Sequence, residues 1–182
     1  MALSAAATTT ATLPDGSTRD QTARAITRLA VSDAPVLDLS ARFDETAVNP
    51  GQRTTAKFSF RNTGVTPASN VELKLRVPKG TRLNPIQGVE IWGNAKDASW
   101  TCDEETGTDL TPCAAGQLIT ITYSGDIGAG KSSYVYVYLL VDDPTDLLRV
   151  EIAGALTGTD GEGVLLPQAA SAQVQIVAGP IL

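Results

Sequence analysis

Apolar and polar positions alternate with period two in four clear stretches, and each predicts a strand with one buried face. In "AKFSF" the inward positions are Ala56, Phe58 and Phe60, with Lys57 and Ser59 outward. "VELKLRV" sets Val71, Leu73, Leu75 and Val77 against Glu72, Lys74 and Arg76, and "LITITY" sets Ile119, Ile121 and Tyr123 against Thr120 and Thr122. "YVYVYLLV" alternates Tyr134, Tyr136 and Tyr138 with Val135, Val137 and Leu139, so both of its faces are apolar. That tyrosine row is therefore either half of the core or a contact surface for another subunit. Further strands are expected at 36–43, 88–92, 149–157 and 170–177. Turn formers separate them, in "NPGQ", "NTGVTPASN", "VPKG", "SGDIGAGKS" and "GTDGEG". A short helical turn is expected near "PTDLL". Otherwise no helical window stands out, and the spacing predicts an all-β antiparallel β-sandwich.

A weaker pattern concerns organisation. Shifted by 145 positions, "ATLPDGSTRDQTARAITRLAVSDAPVL" lies without gaps over "LTGTDGEGVLLPQAASAQVQIVAGPIL". Asp15-Gly16 meets Asp160-Gly161, Ala25 meets Ala170, and Pro35 meets Pro180. Both segments read as strand, Asp-Gly turn, strand and proline-containing exit. Chance similarity between two hairpins is one explanation. The other is that the chain opens with the closing hairpin of a preceding repeat. Either way the expected division is an N-terminal extended hairpin or arm over 1–35 and a sandwich over 36–182. An arm able to add strands to a neighbour puts Thr8, Thr10, Thr12, Ala23, Ala25, Thr27, Leu29 and Val31 forward as contact residues, together with Tyr134, Tyr136 and Tyr138.

Composition narrows the chemistry. The 182 residues include no histidine, two cysteines, and only two Trp, four Tyr and three Phe. Ser-His-Asp, Cys-His and the common histidine metal triads are thereby removed, and the expectation is no enzyme and no cofactor. A net charge of −6 argues against nucleic-acid binding. No apolar run reaches the roughly 20 residues of a membrane helix, so no membrane insertion is expected. "MALSAAATTTATLPDG" lacks the basic and apolar regions of a signal peptide. Three explanations fit: a mature or excised product, export by another route, or a virion protein released by lysis.

Cys102 and Cys113 leave three readings: a disulfide, unpaired core thiols, or a catalytic pair. Two sulfurs without an imidazole do not make a zinc site, and redox pairs are usually Cys-x-x-Cys. A disulfide over this polar loop contributes about 2–3 kcal/mol and implies an oxidising compartment. The loops "VDDPTD" and "GTDGEG" offer oxygens that suit Ca²⁺, without EF-hand spacing. Gly125 to Ser132 matches the spacing of a phosphate loop. A strand follows it, however, so no helix N-terminus is there to hold the anion. Trp92, with the 93–98 loop, is the candidate ligand surface.

"LDLSARFDETAVNPGQRTTAKFSFRNTGVTPASNVELKLRVPKGTRL", followed by "WTC", "PCAAGQLITITYSGDIGAGKSSYVYVYLLV", resembles a conserved repeat domain of bacterial and archaeal surface proteins. That domain belongs to a family of unassigned function related to cell-adhesion repeats. The likeness covers about residues 36–177. In it Asn-Pro-Gly makes a tight turn, and Asn-Thr-Gly ends a strand where a positive φ is expected. It implies an immunoglobulin-like sandwich and a structural subunit or repeat of an extracellular surface assembly or filament, whose partner is another copy of itself or another surface protein. Two alternatives stand beside it: a phage virion decoration or tail-associated protein on the virion exterior, and an adhesin module binding glycan or protein.

Overall fold

The computed structural model describes residues 2–12, 18–28, 34–93, 98–103, 113–143, 145–160, 163 and 168–177. For the first two segments it gives the backbone course and strand pairing. The chain divides into two units, Met1–Asp33 and Ala34–Leu182.

The first unit is a hairpin. Strand β1 (Ala2–Thr12) pairs antiparallel with β2 (Thr18–Arg28), from Ala2↔Arg28 to Thr12↔Thr18. Among the described residues these two strands pair only with each other.

The second unit stacks two sheets. Eleven strands build it: β3 (Leu37–Phe43), β4 (Ala47–Val48), β5 (Arg53–Asn62), β6 (Ser69–Arg76), β7 (Thr81–Leu83), β8 (Val89–Gly93), β9 (Ala98–Cys102), β10 (Leu118–Tyr123), β11 (Ser132–Val141), β12 (Arg149–Thr159) and β13 (Gln168–Ile176). One sheet runs β4-β13-β12-β6-β10-β9. The other runs β3-β5-β11, with β7 and β8 both on the far side of β11. All pairings are antiparallel except the short one between β13 and β4. No helix long and apolar enough to cross a membrane occurs among the described residues.

Alternation explains the layering. Phe58 and Phe60 from β5, Leu73 and Leu75 from β6, Ile119 and Ile121 from β10, and Val135, Val137 and Leu139 from β11 meet in one core, each at most 2% exposed. Burial of such side chains, about 1.5–3 kcal/mol each, is what sets the strands' facing. The double-apolar β11 resolves accordingly: its valines point inward, and the tyrosine row lies on the outer face, with Tyr134 36% exposed. The reading that made the tyrosines half of the core is thus corrected.

Two local expectations also change. Thr145–Leu147 is not helical; the Thr145 hydroxyl accepts the Leu147 N–H instead. Pro144 lies outside the described residues. Gly64 does not have a positive φ. A Cβ there would stand 2.6 Å from Ala34 O, Pro35 Cα and Val36 N, so glycine is required by close backbone approach. Gly51 in "NPGQ" does take a positive φ, at 74°.

Asn62 ties this corner together. It is fully buried; its Oδ1 accepts Val36 N–H (3.2 Å) and Gly64 N–H (3.0 Å), and its Nδ2 donates to Thr66 O and Ile127 O, both at 2.8 Å. Four bonds exhaust the capacity of the amide.

Candidate functional site

The two flanks of the sandwich differ. On one, β7 and β8 form a single interrupted edge along β11. Asn84 N–H donates to Tyr138 O, and Tyr138 N–H donates to Gly88 O. Residues 85–87 therefore bulge out of the ladder. The Asn84 side chain accepts the Ile86 and Gln87 N–H groups and fixes the bulge. On the same flank Cys102, the last residue of β9, is disulfide-bonded to Cys113, with Cα atoms 6.0 Å apart. The Cys113 carbonyl accepts Leu83 N–H from β7, so the link joins the two sheets. A bulge and a covalent staple both obstruct strand addition.

The other flank carries no such obstruction among the described residues. Thr63 N–H donates to Val36 O and Asp44 N–H to Thr55 O, which fixes the phase of the β3–β5 ladder. By alternation, Leu37, Leu39, Ala41 and Phe43 turn their backbone groups away from β5. On β13, Ile176 N–H bonds toward β12, while Gln175 N–H reaches Thr46 O and Val177 N–H reaches Val48 O of the β4 segment. The same phase leaves the outward groups of Ala169, Ser171 and Gln173 without a strand beside them among the described residues. Between the two edges lies a groove of about 680 Å³, with Ala41, Phe43, Ala172 and Val174 among its lining residues.

The hairpin's register sorts the proposed contact residues. Thr8 pairs with Thr22 and Ala7 with Ala23, so Thr8, Thr10 and Thr12 occupy one face of the ladder and Ala23, Ala25 and Thr27 the other. Leu29 and Val31 lie outside the described residues. Strand β12 starts 147 positions after β1 and has the same eleven-residue length. The shift differs by two from the sequence self-match, which preserves which residues share a face.

A third feature is the outer face of the five-stranded sheet. Pairing of β8 with β11 sets Trp92 beside Tyr134 and Glu90 beside Tyr136. Trp92 is 60% exposed. Glu90 Oε2 accepts the Trp92 indole N–H (3.2 Å) and the Tyr138 hydroxyl (3.0 Å). Desolvation first, and then that bond to a carboxylate, hold the Tyr138 phenol above its ordinary pKa. The Lys57 ammonium stands 4.6 Å from the Tyr134 ring centroid and 5.1 Å from that of Tyr136. The sequence reading found Trp92 and the tyrosines but not Glu90, whose outward phase was available from "VEIW". Of the loop after Trp92, residues 94–97 lie outside the described residues.

The remaining motifs are turns and an ion pair. Residues 125–131 form the turn from β10 into β11, with Lys131 N–H donating to Gly128 O. Asp142 pairs with Arg82 at 2.9 Å, and no group of three potential metal ligands occurs among the described residues. Glu162 of the second acidic loop lies outside them.

Tyr123 is the one buried titrating group of note. It lies edge-on to Phe60, with ring centroids 5.2 Å apart, and accepts a hydrogen bond from Ser133 Oγ at 3.3 Å. Burial pushes its pKa up to about 12, partly opposed by that bond. The folded state therefore keeps a proton that the unfolded chain releases near pH 10. Stability is unaffected below pH 10 and falls between pH 10 and 12, by on the order of 2 kcal/mol. Urea midpoints across that range should drop less in Tyr123→Phe than in the parent.

No family model matches the chain, and no curated protein matches it. Solved structures do. BcpA, the major pilin subunit of Bacillus cereus, is 10% identical with a TM-score of 0.58, over 94% of this chain and 48% of that one. This chain thus spans about half the length of that pilin. SpaD, a major pilin from Corynebacterium diphtheriae, is 6% identical with a TM-score of 0.53, over 74% of this chain and 34% of that one. A cohesin in a type I cohesin–dockerin complex from Clostridium thermocellum is 10% identical with a TM-score of 0.53, over 82% of this chain and 100% of that one. At such identities the likeness is one of fold, and the fold is an immunoglobulin-like β-sandwich.

Proposed function

We propose that this chain is a non-enzymatic structural module of an extracellular surface assembly, joined to a neighbouring copy when hairpin β1–β2 adds to an exposed sheet edge. One observation carries the reading. The hairpin pairs eleven positions of β1 with eleven of β2 and, among the described residues, has no other strand beside it. A two-stranded hairpin alone is marginal in water and gains stability from a third strand or a packed face. The β3/β13 flank offers unpaired backbone groups to such a strand, whereas the β7/β8/β9 flank is obstructed. Pilins among the similar folds, and the resemblance of 36–177 to surface-protein repeats, favour the extracellular setting over the virion by analogy of fold.

Contact of a hairpin on one copy with an edge on the next is head to tail, and need not close. In multi-angle light scattering the full chain should show species above the monomer mass that vanish when residues 1–32 are deleted. Ala41→Pro, which removes an edge-facing N–H, should shrink them too. Identical mass distributions for the full and truncated chains would overturn the reading.

A further inference from the structure

Given the hairpin addition proposed above, we infer that the inserting strand is β1, laid against β3 of the neighbouring copy. Its odd-numbered face, with Leu3, Ala5 and Ala7, then turns toward that copy's core.

The core is unfinished on the receiving flank. Leu37, Leu39, Ala41 and Phe43 of β3 alternate inward, yet Leu39 and Ala41 are only half-buried. Across the groove, Ala170 of β13 shares the inward face of Ala172 and Val174 and is half-buried as well. At the Phe43 end the chain closes the gap itself. It crosses to the other sheet, where β4 pairs with Gln175 and Ile176 and buries Val48. Toward Leu37 no strand does so among the described residues. β13 has given part of its edge to β4, whereas β3 keeps all four outward positions along its length. That makes β3 the longer receptor.

Charge selects the strand. β1 has no charged residue from Ala2 to Thr12, while β2 carries Arg19, Asp20, Arg24 and Arg28. A strand entering the sandwich loses water from one face, which charges resist; charges on the strand outside it discourage further pairing. Register selects the face. Leu3, Ala5 and Ala7 share one side of the ladder with Thr27, Ala25 and Ala23, and the charged Asp20, Arg24 and Arg28 lie on the other. Small residues also suit the space. Cα atoms of β3 and β13 approach to within 8 Å, nearer than the ~10 Å between stacked sheets, and Ala41, Ala47 and Ala172 line the groove between them.

Three consecutive alanines, Ala5, Ala6 and Ala7, allow one substitution to be placed on either face. In multi-angle light scattering at fixed concentration, Ala5→Glu and Ala7→Glu should each lower the fraction of species above the monomer by about tenfold or more. Ala6→Glu should leave that fraction within about twofold of the parent, because its face stays in water. Ala23→Glu, one strand further out, should cost less than Ala7→Glu. Thermal midpoints should be the same in all four variants. On the receiving side, Ala41→Pro should weaken association more than Ser171→Pro. Equal effects of Ala6→Glu and Ala7→Glu would overturn the choice of face, and a larger effect of Ala23→Glu than of Ala7→Glu would overturn the choice of β1. A larger effect of Ser171→Pro than of Ala41→Pro would move the junction to β13. Each of these leaves hairpin addition standing if deletion of residues 1–32 still abolishes assembly; only an unchanged mass distribution after that deletion removes the parent reading as well.

Discussion

Replacing Asn62 with leucine should lower the unfolding free energy by about 3–5 kcal/mol, read from urea midpoints by circular dichroism. Leucine is close in size but offers neither donor nor acceptor. Val36 N–H, Gly64 N–H, Thr66 O and Ile127 O would each lose the bond to Asn62, although Ile127 O keeps the one from Ala68 N–H. A buried backbone group left unpaired costs about 1–3 kcal/mol, and the two N–H groups of Val36 and Gly64 carry most of that loss. Asn62→Asp is the informative control. Ionised, it keeps both accepting bonds but turns negative charge toward two carbonyl oxygens, so it should also destabilise, and less so at acid pH. A loss below about 1 kcal/mol for the leucine variant would show that water or local rearrangement satisfies these groups.

Gly154→Val should be as damaging, at about 3 kcal/mol or more, through overpacking instead of lost polar bonds. Gly154 sits on β12 opposite Leu75 of β6, its backbone pressed toward the other sheet. A Cβ there would stand 2.6 Å from Leu75 Cδ2 and 2.7 Å from Phe58 Cε1. Both are ends of side chains, which elsewhere could swing aside, but Leu75 and Phe58 are fully buried. Either the sheets separate or the rotamers strain. Phe58→Leu made in the Gly154→Ala background should cost less than the two single changes added together, since it vacates the space the new methyl needs. Strict additivity would place the strain elsewhere.

Much of the fold was legible because burial on one face imposes alternation, and β5, β6, β10 and β12 display it plainly. Three strands were missed for definite reasons. β4 and β7 hold two and three residues, too few to show a period, and β9 reads intermediate-exposed-exposed-exposed-intermediate, with no alternation at all. β11 was ambiguous because valine and tyrosine are both apolar. Packing decided it, since Val135 and Val137 sit opposite Phe58 and Ala56 in the ladder. Gly64 was misread because its partner, the 34–36 backbone, is distant in sequence. The same obstacle hid much of the candidate site. Lys57, Glu90 and Trp92 converge with the tyrosine row only through strand register, which no local motif encodes.

If copies join as proposed, the asymmetry of the flanks sets a valence. Under the proposed assembly, the 85–87 bulge and the Cys102–Cys113 link confine incoming hairpins to the β3/β13 flank, where one hairpin would be taken for each one given. Monofunctional giving and taking yields linear polymers without branch points, whose mean length follows protein concentration as in step growth. Removing the bar should then matter more for polymer shape than for the strength of any single junction.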